Sequence, residues 1–74
     1  MKASDLISEA SGISQDNITN LSKLGDPVEW DSLAQLMIVS SLEDFLSRDL
    51  EIDEFERAKT YEGINEILDN GRNN

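Results

Sequence analysis

The chain has 74 residues, 16 acids against 6 bases and a formal net charge of −10, with neither cysteine nor histidine. That length is one domain with one thin core, too small for a deep enclosed active site. The missing residue types exclude disulfides, thiolate metal sites and an imidazole base, so an independent hydrolase is not expected, while the negative charge disfavours nucleic acid and anionic membranes as partners.

In chain order, residues 4–11 read as a short helix with Leu6, Ile7 and Ala10 on one face, ended by Gly12 with Ile13 folding back on it. From Ile13 to Trp30 no period is sustained, and Gly25-Asp26-Pro27 marks a turn. So long a loop tends to be functional, and its scattered apolar residues (Ile18, Leu21, Leu24, Val28, Trp30) are expected to pin it across the helices. Residues 32–46 carry the strongest helical pattern. Ser32 with Gln35 fits a capping box, and Asp31 adds negative charge at the positive end of the helix dipole. At 100° per residue the helix has two apolar stripes: Ile38, Val39, Leu42, Phe45 and Leu46 on one side, Leu33, Leu36 and Met37 on roughly the other. One stripe serves a core and the other is left over near the helix start.

Next comes a connector, 48–52, with Leu50 and Ile52 expected to point inward. Asp53 and Glu56 then suggest a capping box for a very short helix around Phe55. Thr60 caps a last helix with Tyr61, Ile64, Ile67 and Leu68 as its buried stripe and Gly63 permitting close packing. Asp69 to Asn74 reads as a polar tail, its end (70–74) frayed. The expected fold is therefore all-α: a single domain over 1–74, a small irregular four-helix bundle of three main helices plus one short one. No apolar run is long enough to span a bilayer and the first residues lack a secretory pattern, so the expectation is a soluble, cytoplasmic monomer without membrane insertion.

The chemistry gathers at Glu29-Trp30-Asp31-Ser32-Leu33. A serine between a long loop and an amphipathic helix sits at the positive end of the dipole, where free backbone N–H groups favour an anion such as a phosphodiester. The competing explanation is that Ser32 is only a helix cap, since serine is among the preferred residues there. The leftover stripe beside it argues for more, because a solitary bundle normally avoids such a patch. The acidic run from Glu43 to Glu56 lacks the alternating ligands and central glycine of a calcium loop, so no metal site is expected, and it reads as a solvated surface facing partners.

Asp31-Ser32-Leu33, followed by Leu36, Ile38, Val39 and Leu42-Glu43-Asp44, resembles the acyl and peptidyl carrier protein family, which has an Asp-Ser-Leu motif at the start of its second helix. The tripeptide alone is weak. Chain length, acidity and helix order extend the resemblance over nearly the whole chain. It implies a non-catalytic protein on which Ser32, flanked by Asp31 and Leu33, receives 4′-phosphopantetheine from coenzyme A through a phosphopantetheinyl transferase. The implied partners are an acyl- or aminoacyl-loading ligase and acyl-transfer enzymes, met transiently and attracted by charge.

In members that serve fatty acid synthesis, acids stand early in the second helix, near the positions held here by Ala34 and Met37. That departure, and a Trp30 reminiscent of carriers in specialised pathways, points to a dedicated secondary-metabolism or surface-polysaccharide route. Docking is expected at Leu33, Leu36 and Met37, with Glu43 and Asp44 adding charge. Leu6, Ile38, Val39, Leu42, Ile64 and Leu68 are expected to shelter a short acyl chain between the helices. The main alternative is an unmodified acidic interaction module that docks through the same Leu33/Leu36/Met37 face. A small cation-binding regulator is the weakest reading.

Overall fold

The computed structural model describes residues 1–72. Four α-helices follow one another: α1 (Ala3–Ser11), α2 (Ser32–Leu46), α3 (Ile52–Arg57) and α4 (Tyr61–Arg72), with a 3₁₀ turn at Gln15–Asn17 in the long loop. Among the described residues there is no strand, and no helix is long and apolar enough to cross a membrane. The three long helices pack on one another, and α3 lies against α4.

The core forms where the periodicity places it. Leu6, Ile7, Ile38, Val39, Leu42, Ile64, Ile67 and Leu68 are buried, joined by Trp30 from the loop and by Ile13 just past α1. Gly12 takes the left-handed conformation (φ 79°) and its N–H donates to the Ser8 carbonyl, ending α1 as its sequence suggests. Of the loop's apolar residues, Trp30 is buried and Ile18 and Leu24 pack against the core, whereas Leu21 and Val28 face solvent and pin nothing. Backbone bonds do the rest of the pinning: Leu24 N–H donates to Lys59 O at 2.8 Å and Tyr61 N–H to Ser22 O at 2.9 Å. The loop is thereby stitched to the junction between α3 and α4.

Several local expectations need correction. The cap of α2 is Asp31, whose carboxylate accepts the Ala34 N–H at 2.9 Å, and Ser32 is the first helical residue. The capping box of α3 is Glu51 with Glu54, two residues before the expected Asp53 and Glu56, because Glu54 reaches back to the Glu51 N–H at 2.9 Å. Ile52, expected inward, opens α3 and is 86% exposed, while Leu50 is buried. Thr60 does cap α4, its hydroxyl accepting the Gly63 N–H at 3.0 Å. A Cβ at Gly63 would collide with the Arg57 carbonyl, so the close approach there is real.

The stretch from Asp69, expected as a polar tail, is helical through Arg72 as part of α4. Gly71 lies against Phe45 and Leu46, where a Cβ would fall 2.8 and 2.7 Å from their ring and methyl carbons. Packing against α2 continues the helix past Asp69. The expected tail at 73 and 74 lies outside the described residues.

Candidate functional site

The loop returns to α2 through a closed turn: Gly25 N–H donates to Trp30 O at 2.8 Å and Trp30 N–H to Pro27 O at 3.0 Å. The buried indole of Trp30 anchors this turn in the core, so the next residues emerge at a fixed place on the surface. Asp31 satisfies Ala34, and the helix proper starts with Ser32. Ser32 is exposed, and among the described residues its hydroxyl has no hydrogen-bond partner. As the first two residues of the helix, Ser32 and Leu33 have no intrahelical acceptor for their N–H groups. One turn of backbone thus offers an unengaged nucleophilic oxygen beside two donors at the positive end of a dipole.

Beyond the serine the two stripes separate as expected. Ile38, Val39 and Leu42 are buried and Phe45 and Leu46 half-buried, whereas Leu33, Leu36 and Met37 are 68%, 65% and 49% exposed. A row of three large apolar side chains therefore lies along α2 just after Ser32. Asp44 is exposed. Glu43 is half-buried and its carboxylate accepts the Leu50 N–H at 2.9 Å, so it braces the connector as well as adding charge. The six residues expected to shelter a chain (Leu6, Ile38, Val39, Leu42, Ile64, Leu68) all join one core, each at most 6% exposed. Room for a chain among them requires the helices to part.

Two arrangements escaped the sequence. Gln35, expected to reach back to Ser32, instead accepts from Trp30 Nε1 at 2.7 Å and donates to Ala58 O at 3.0 Å. The second is at α3, where Arg48 holds Glu54 with two hydrogen bonds, at 2.7 and 2.9 Å. Hydrogen bonding from that guanidinium is the main reason the Glu54 carboxyl is lowered to about 2, with the Glu51 N–H helping and burial opposing. Neither contact has a sequence signature: Gln35 and Ala58 are 23 positions apart, and the residues facing Glu54 lie outside any helical repeat.

No family model matches the chain, and no curated protein matches it.

Proposed function

We propose that this chain is a carrier protein that bears an acyl or aminoacyl group on 4′-phosphopantetheine attached to Ser32. The single observation that carries the reading is the exposed, unpartnered Ser32 hydroxyl at the start of α2, left free because Asp31 does the capping. The Asp-Ser-Leu resemblance supports it, as does the apolar row of Leu33, Leu36 and Met37 beside the serine.

The residues present suit the group. Ser32 would hold it through its oxygen, and the N–H groups of Ser32 and Leu33 would face the phosphodiester's negative charge. When bound, the group supplies a terminal thiol for thioester chemistry, which a chain without cysteine cannot supply itself. The chain's own contribution is to present the oxygen. It has no histidine, and Asp31 caps the helix through an oxygen that accepts the Ala34 N–H, so this reading assigns removal of the hydroxyl proton to a base of the transferase.

Ala34 is buried and uncharged and Met37 is a half-exposed apolar residue, so neither position supplies the early acids that the resemblance associates with fatty acid synthesis, which favours a dedicated pathway with more apolar docking. The second reading, an unmodified interaction module, draws on the same exposed row. One experiment separates them: incubate the protein with coenzyme A, magnesium and a broad-specificity phosphopantetheinyl transferase, then record the intact mass. A gain of one phosphopantetheinyl group in the wild type and none in Ser32→Ala is the expected result. No gain with several transferases would favour the interaction module.

A further inference from the structure

Gln35 stands one turn into α2 and engages both ends of its side-chain amide. Its backbone N–H donates to Asp31 O at 2.9 Å, its Oε1 accepts from Trp30 Nε1 at 2.7 Å, and its Nε2 donates to Ala58 O at 3.0 Å. One residue thus grips the tryptophan before the cap, the cap itself and the residue that closes α3. Both far ends are firm, since Trp30 and Ala58 are each 0% exposed. The buried indole N–H needs an acceptor, and an unmatched donor in that position is costly.

A glutamine four residues after the cap has a local alternative, which is to bend toward the free N–H groups at the helix start. Here both ends of its amide are engaged elsewhere, so it leaves the first turn to Asp31. Ser32 lies inside the bracket, two positions after Trp30 and three before Gln35. The bracket fixes the backbone on both sides of the serine without touching its oxygen.

We propose that Gln35 is a positioning residue for Ser32, holding the Trp30–Asp31 turn so that the hydroxyl is presented, immobile and unengaged, to the enzyme that modifies it. The proposal rests on the carrier reading above. Its physical content is that Gln35 acts through the indole and leaves docking of the transferase alone. A misplaced serine therefore slows transfer and does not weaken encounter.

The test uses Gln35→Met, of similar length without the hydrogen bonds, Trp30→Phe, and the double variant. Each is offered to the transferase as the carrier substrate. Gln35→Met is expected to lower kcat roughly tenfold or more, with the KM for the carrier changed less than about twofold. Amide exchange at Trp30, Ala34 and residue 35 quickens about tenfold, while that of Ile64, Ile67 and Leu68 in α4 keeps its rate. Trp30→Phe acts in the same direction, and the double variant is no worse than the worse single one, because the indole contact that Trp30→Phe removes is already lost in Gln35→Met.

Unchanged kcat and exchange in Gln35→Met overturn the proposal. So does equal quickening in α4, which would signal general loss of stability, and so do losses that multiply in the double variant. If no transferase loads the wild type, the carrier reading falls and takes the reaction served by Gln35 with it. If wild type and Gln35→Met load with the same kcat, only the role of Gln35 falls.

Discussion

At the start of α2 the Asp31 carboxylate accepts the Ala34 N–H, while the adjacent Ser32 hydroxyl bonds to nothing among the described residues. The two side chains should therefore differ sharply when removed. Asp31→Ala is expected to cost about 1 kcal/mol, the usual loss for a helix cap. Ser32→Ala, at an exposed position, is expected to stay within about 0.5 kcal/mol of the wild type. Urea unfolding followed by circular dichroism measures both, and the opposite order would return the cap to the serine. Sequence could not decide this. Aspartate and serine are both preferred caps, they are neighbours here, and a glutamine three residues after the serine completes an apparent box. What settles it is where the amide of Gln35 goes, which depends on a carbonyl just past the end of α3.

Element by element, α3 is the unusual member. Its six residues include no buried apolar side chain: Ile52 and Phe55 are outward, and the buried residue is Glu54. The helix is moored by charge where the others are moored by hydrocarbon. Glu54 is lowered in the folded state, from the ordinary 4.5 to about 2, so the unfolded chain takes up the proton first. The stabilisation from the pair is therefore fully present above about pH 4.5 and is lost as the pH falls toward 2. Urea midpoints between those pH values should fall more steeply for the wild type than for Glu54→Gln, and parallel curves would count against the mooring. A six-residue helix is too short to display a period, so nothing in the sequence marks Ile52 as its first residue and as outward, where the connector's alternation with Leu50 suggests inward. By contrast α1, α2 and most of α4 were legible because their apolar residues repeat over two or more turns. The last turn of α4 was not, since the stretch from Asp69 is polar and the packing of Gly71 against Phe45 and Leu46 comes from another helix.

Over the whole molecule the cations are unevenly placed. Arg48, Arg57 and Lys59 all pair with acids of α3, at Glu54, Asp53 and Glu56, and Arg57 also faces Glu66 in α4. Much of the remaining surface carries acids in excess, consistent with a net charge of −10. Such self-repulsion destabilises a compact chain and is relieved by salt. Raising sodium chloride from ~0.01 M to ~0.15 M should therefore lift the melting temperature by a few degrees. A fall would mean that the four ion pairs outweigh the repulsion. The balance is visible in the composition and the gathering of cations at 48–59 in the sequence, and what folding adds is the pairing of Arg48 with Glu54 and of Arg57 with Glu66 in α4.

A helix is a rod with no slack. From Ser32 to Leu46 the serine, the outward row and the buried row are set at fixed angles on one shaft about 22 Å long. Adding a single residue after Leu33 would turn everything upstream by about 100° relative to the core. The serine and the outward row would then face different ways, however well the protein still folded. Substitutions at Leu33, Leu36 and Met37 change what the outward row offers without moving it, whereas an insertion changes its direction relative to the serine.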